Sequence, residues 1–393
     1  MLFQPLDEKK LVGVYANGEV YRDIPQGATG TWRFCDYLSD LDLVYASLYC
    51  GGKTLTEACP SELLVCWQNT SEKIRAHISA CRSSKIDLHS YGVLEMIPVK
   101  LLKEFLDLKN KITEHVINTY PKPENYNFLC DLERLLGKIR RNKLNINLDS
   151  LKSHLTTAQA RSSYRRIEAS RPVIDYNPHK TKTGRLTSKK GSFPILTLDR
   201  KSRIAVEPNN DFFLELDFNA AELRTLLALC GKKQPQEDIH EWNIKNVFSG
   251  SETREQAKKK VFAWLYNPER QDSNLDRVYD RNAVVHKYFD GSYVNTFFSR
   301  VIPADEKHAL NYIIQSTTSD LLLKRAIKVD KMLESRKSKI AFTLHDSLII
   351  DFSMEDRSIM NDVVDEFGST ELGEYLVNVS AGKNFGSMRS LKI

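Results

Sequence analysis

The sequence predicts a mixed α/β (α+β) protein of more than one domain, on three observations. At 393 residues the chain is long enough for two or three domains that each bury a core. Short apolar runs with strand patterning are interleaved with longer segments whose apolar residues recur at helical spacing. Apolar residues at 41% and charged residues at 27% are those of an ordinary globular protein, and no repeat or low-complexity tract interrupts them.

Taken in order, Val14-Tyr15 and Val20-Tyr21 flank Asn17-Gly18, and Asn-Gly between short apolar runs signals a hairpin. Leu101, Leu102, Phe105, Leu106, Leu108, Ile112, Val116 and Ile117 fall at helical spacing, and Pro121 closes that helix. A second helical pattern starts at Tyr126 and is followed by an extended stretch with a helix cap at residues 145–149. Residues 212–218 form a buried-strand pattern that runs into a helix at 221–227. Ser249 with Glu252 three residues on reads as a capping box for a helix over 254–266, which Asn267-Pro268 ends. Residues 340–344 and 347–350 are two apolar runs separated by His345-Asp346, a hairpin with that pair at its tip. If the strand ending in Asp217 neighbours this hairpin, Asp217 and Asp346 meet at the rim of one sheet.

Several function classes are set aside. No apolar run approaches the roughly 18 residues of a membrane span. The N-terminus has no secretory pattern. Seven cysteines include no CxxC pair, which argues against a zinc site or disulfide framework and for a reducing, cytoplasmic setting. Charge is uneven: residues 138–203 hold 17 Lys or Arg against 4 Asp or Glu, in a chain whose total is only +6. A polyphosphate backbone would select such a stretch, although a solvated charged surface also produces one.

Two carboxylates at a sheet rim suit phosphoryl transfer, which needs in-line positioning and neutralised charge, commonly from two divalent ions. Arg254, Lys258, Phe262 and Tyr266 recur every fourth residue and drift about 40° per step, one stripe roughly 18 Å long. Its cationic end suits a triphosphate and its aromatic end a sugar and base. An amphipathic helix with a basic solvent face has the same spacing.

Together these segments resemble the family A DNA polymerases, in a compact, phage-like form. Residues 217–224 (DFNAAELR) resemble the family's first palm motif, and Leu344-His345-Asp346-Ser347 its last, His-Asp-Glu. The stripe matches the fingers helix, and Thr183-Gly184-Arg185-Leu186 and Asp238-Ile239-His240 match motifs upstream of it. Lys307, Asn311, Gln315 and Asp320 keep the spacing of a further palm signature, with Lys307 where Arg is usual, and residues 382–385 resemble the family's ending. The matches run in order from about residue 125 to the C-terminus.

The resemblance implies a right-hand polymerase with an antiparallel palm sheet, helical fingers and a reduced thumb. Residues 1–125 would be a small mixed α/β domain, degenerate exonuclease-like or other. Residues 126–204 would hold the reduced thumb and start of the palm, 205–233 the first catalytic palm motif, 234–304 the fingers, and 305–393 the second palm motif. Asp217 and Asp346, with the Phe218 carbonyl, would hold two Mg²⁺ ions, with Mn²⁺ as the alternative. His240, Arg254 and Lys258 would bind the triphosphate, Lys258 also serving catalysis, and Phe262 and Tyr266 would flank sugar and template. Glu222 would exclude a ribose hydroxyl. Arg185, Lys307, Asn311, Gln315 and His345 would touch DNA. The implied partners are primer–template DNA, dNTPs and a processivity or replication protein, and the implied setting is DNA replication, in a host cell if the enzyme is viral.

Departures from the family pattern define the rivals. Ser347 stands where the family has Glu, Asn267 where it has Gly, and only about 30 residues separate Leu155 from Arg185, where relatives carry a long thumb. His-Asp-Ser is reminiscent of single-subunit RNA polymerases, but those carry glycine where Glu222 stands. An inactive nucleic-acid-binding relative is the other rival. The N-terminal residues hold no strand with an Asp-x-Glu pair, so proofreading is not expected.

Overall fold

The computed structural model describes residues 1–8, 10–86, 96–248, 250, 252–267 and 270–391. The chain divides into two compact units, Met1–Gly137 and Lys138–Ile393.

In the first unit, β1 (Gln4–Pro5), β2 (Val14–Ala16) and β3 (Glu19–Tyr21) form an antiparallel sheet in that order. Asn17 and Gly18 both take positive φ (47° and 84°), the two-residue turn whose twist matches its strands. Helices α1 (Ser61–Ser83) and α2 (Val99–Thr119) stack Trp67 on Phe105 at 5.1 Å and bury Ile112 and Val116. Helix α3 (Tyr126–Arg141) carries the chain into the second unit.

The second unit is built on β4 (Phe212–Phe218), which enters α4 (Ala221–Leu229) after two residues. Next come α5 (Ile239–Asn246), α6 (Arg254–Leu265), and the hairpin of β5 (Tyr293–Asn295) and β6 (Val301–Pro303). Helix α7 (Glu306–Met332) leads to β7 (Lys339–Leu344), β8 (Ser347–Phe352), β9 (Val377–Gly382) and β10 (Arg389–Ser390). The sheet order is β7–β8–β4–β9–β10, antiparallel throughout. On β4, Leu214, Leu216 and Phe218 are buried, and the Phe218 ring stacks on Phe367 at 4.3 Å.

The start of α6 differs from the sequence expectation. Ser249 lies outside the described residues, and Glu252 instead pairs with Lys260. Thr253 is the cap: its hydroxyl accepts the Gln256 N–H at 3.3 Å while the Gln256 side chain accepts the Thr253 N–H at 2.9 Å. Helix α6 ends at Leu265, with Tyr266 as its C-cap; Pro268 lies outside the described residues.

Candidate active site

The register of β4 against β8 sets the site. Asp217 is opposite Ser347, so Asp346, in the two-residue turn between β7 and β8, sits beside it at the sheet rim. Both turns at this rim use a non-glycine residue in the left-handed region, His345 (φ 53°) directly before Asp346 and Ala220 (φ 51°) three residues after Asp217. Left-handed backbone costs an L-residue about 1–2 kcal/mol, and such strain concentrates at functional sites. Two of the five such residues in the described chain flank this pair.

The carboxylates are short of compensating charge. Burial pushes Asp217 up to about 6, the charges of Glu215 and Asp346 add to the rise, and Asn378, donating at 3.3 Å, opposes it. Burial likewise raises Asp346, opposed by Arg185 and His345. Hard oxygen donors carrying uncompensated negative charge fit a divalent cation. Phe218 buries its ring, so only its backbone is left to serve such an ion. Among the described residues no three His, Cys, Asp or Glu side chains converge into a metal cage. Ser347, whose hydroxyl donates to the Leu344 carbonyl at 2.9 Å, brings no third carboxylate.

Helix α6 buries Ala257, Val261, Trp264 and Leu265, which turns the stripe outward. Phe262 and Tyr266 lie parallel, 5.9 Å apart, and His240 lies 5.9 Å from Phe262. His240 is buried and its Nδ1 has no hydrogen-bond partner. Burial lowers its pKa, Arg254 and Lys258 lower it further, and Asp238 opposes them. Lys258 is exposed. Arg254 donates to Asp238 at 2.7 Å. Burial alone would raise the Asp238 carboxyl, but Arg254, Asn219 and the Glu241 N–H overcome it and hold the group well below the usual range. Asp238 also caps α5. Asn219 in turn is gripped by the fully buried Arg224, so the loop after Asp217 is tied to the start of α5.

Glu222, in the first turn of α4, joins the carboxylates to the stripe. Its buried carboxylate accepts from Arg185 at 2.5 Å and from the Tyr266 hydroxyl. Burial raises its pKa; Tyr266 and Arg185 oppose that and Asp346 adds to it. Arg185, His345 and Asp346 line a cavity of about 230 Å³ together with Leu322 and Leu323 of α7. Lys307, Asn311 and Gln315 share one face of α7, two turns long; Lys307 is exposed, and the buried Asn311 Oδ1 lacks a hydrogen-bond partner.

The sequence reading did not single out Asn378, Asn219 or Glu215. Asn378 is readable only once β9 is paired with β4. Glu215 was visible, since a residue two before Asp217 on a strand shares its face.

No family model matches the chain, and no curated protein matches it. Among solved structures, the chain is similar to the POL domain of Pol1 from M. smegmatis, in complex with DNA primer-template and dNTP. The TM-score is 0.61 at 13% identity, over 87% of this chain and 82% of that one. The likeness is one of fold: a mixed α/β chain with a structural match to a polymerase domain.

Proposed function

We propose that the chain is a template-directed DNA polymerase that adds dNTPs to a primer 3′ end by two-metal phosphoryl transfer. One observation carries the reading. The fold brings three separately readable patterns to one rim: Asp217, Asp346, and the α6 stripe, whose Tyr266 is hydrogen-bonded to Glu222. Likeness to a polymerase-domain fold supports it.

Asp217 and Asp346, with the Phe218 carbonyl, would hold two Mg²⁺ ions, or Mn²⁺. Ions bound there would supply Lewis-acid activation of the primer hydroxyl and neutralise charge on the transferring phosphoryl group. The chain's own residues position the reactants. Arg254 exchanges Asp238 for a phosphate, Lys258 adds a point charge, and His240 offers a ring nitrogen. Phe262 and Tyr266 flank the sugar and template, and Glu222, pinned from two sides, walls off the C2′ position. Arg185 and Gln315 reach the minor groove, where acceptors are similarly placed in every correct pair, Lys307 and Asn311 also touch DNA, and His345 touches the primer end. In right-hand terms the five-stranded sheet is the palm, α5 and α6 belong to the fingers, and residues 126–204 hold a reduced thumb. The basic residues 138–203 hold the duplex, and a processivity or replication protein compensates for the thumb. Such a protein works in the cytoplasm, in a host cell if it is viral.

Primer extension on a defined template, with dNTPs and then NTPs, each with and without Mg²⁺, tests the reading. Magnesium-dependent extension with dNTPs is expected. Preference for NTPs would make it an RNA polymerase, and DNA binding without extension would make it an inactive relative.

A further inference from the structure

We propose that Arg300 and Asp320 are positioning residues for Arg185, acting through the contact of the Arg300 guanidinium with Gly184. The inference rests on the polymerase reading and adds to it the device that aims Arg185.

Arg300 follows the turn between β5 and β6, and its backbone is fixed on both sides. Its N–H donates to the Thr296 hydroxyl at 3.1 Å, and its carbonyl accepts the Thr296 N–H at 3.0 Å. Its guanidinium forks onto Asp320 of α7, Nε to Oδ2 at 3.0 Å and Nη2 to Oδ1 at 2.7 Å. Asp320 is fully buried. A bidentate pair fixes the guanidinium plane as well as its charge.

Gly184 lies against that plane. A Cβ there would stand 2.7 Å from Cζ, 2.7 Å from Nη2 and 3.0 Å from Nε. Near-equal distances to three atoms of the fork place it over the face of the guanidinium rather than at its edge. Gly184 also has φ +75°, so glycine is required both for the backbone and for the contact. The loop is closed on itself, Gly184 N–H to the Thr181 carbonyl at 3.4 Å and Thr181 hydroxyl to the Arg185 carbonyl at 2.8 Å. With Gly184 seated and the loop closed, the direction in which Arg185 leaves the backbone is set.

The Arg185 side chain is 46% exposed, so beyond the hydrogen bond of its tip to Glu222 little packing directs it. Its aim depends on the backbone beneath. A buried ion pair is a poor way to gain stability, since apolar residues of similar volume do as well or better. A flat, oriented surface under a glycine is what this pair provides and an apolar patch would not. Ser319, beside Asp320 on α7, lines the same cavity as Arg185 and Asp346, so the support is built next to the site it serves. A misplacement near 1 Å can cost about 100-fold in a positioned reaction.

Arg300→Lys tests this, because it keeps a cation for Asp320 and removes the planar fork. The readout is the ratio of extension rates from matched and mismatched primer ends, with thermal unfolding as the check of folding. Arg300→Lys is expected to lower that ratio by about tenfold or more, towards the value for Arg185→Ala. The double variant Arg300→Lys/Arg185→Ala should be no worse than Arg185→Ala alone, the signature of two residues acting through one contact. Gly184→Ala, which disturbs the contact from the other side, should give the same non-additive pattern and decides the matter if Arg300→Lys does not fold. A folded variant with wild-type discrimination, or losses that simply add to Arg185→Ala, overturns the inference and leaves the polymerase reading intact. A wild-type chain that extends no primer removes the polymerase reading first, and this inference with it.

Discussion

Replacing Asp217 with Asn should make the protein more stable and inactive at once. Burial holds the folded-state pKa of Asp217 at about 6, against 3.8 for the free side chain. An acid whose pKa is raised on folding ionises more easily in the unfolded chain. Its penalty is therefore absent below pH 4, grows as pH rises, and is complete above about pH 6. A shift near two units corresponds to roughly 3 kcal/mol. Asp217 is only half-buried, so solvent screening reduces this to about 1–2 kcal/mol. Asn is nearly isosteric, and its oxygen still accepts from Asn378. Chemical denaturation in EDTA should then show Asp217→Asn more stable by about 1–2 kcal/mol at pH 8 and equal to wild type near pH 4. Adding Mg²⁺ should close the gap by stabilising only the wild type. Equal stability at pH 8, or a variant less stable than wild type, would refute the picture of an uncompensated carboxylate waiting for a cation.

Three further outcomes can be measured. Glu222→Ala, which empties the space between Arg185 and Tyr266, should raise ribonucleotide incorporation relative to deoxynucleotide incorporation in competition assays; unchanged discrimination in an active variant would move the sugar gate elsewhere. Binding that leans on residues 138–203 should fall steeply with salt, giving only a few nucleotides per encounter when free enzyme is trapped, and a mispaired primer end should persist in Mg²⁺ without dNTPs. Long products without a partner, or shortening of that end, would contradict the reduced thumb or the absence of proofreading.

The chemistry-bearing strands were legible because their signals are local. The apolar run ending in Asp217 and the two runs around His345-Asp346 needed only strand patterning, and the structure pairs them antiparallel at that rim. The α6 stripe was legible for the same reason, since four residues at one spacing define a helix face. Its cap was misread because Ser249 and Glu252 have the right residue types four positions too early, whereas Thr253 with Gln256 satisfies the backbone. The supports of the site were not legible, because they depend on contacts between distant segments. Asn378 reaches Asp217 across 161 residues, and Arg300 meets Gly184 by a packing contact that leaves no spacing pattern. Arg224 was visible as part of a motif, yet its role as the clamp on Asn219 appears only with the fold.

Extension should require Asp217 and Asp346 together, on a primer held by other parts of the chain. The most direct measurement is single-turnover primer extension by wild type, Asp217→Asn and Asp346→Asn, with primer–template affinity measured on the same preparations. Both variants should bind DNA nearly as wild type does, the basic stretch carrying that affinity, and each should lose essentially all extension. Either variant retaining more than about a tenth of the wild-type rate, a barrier change of only about 1.4 kcal/mol, would contradict that requirement.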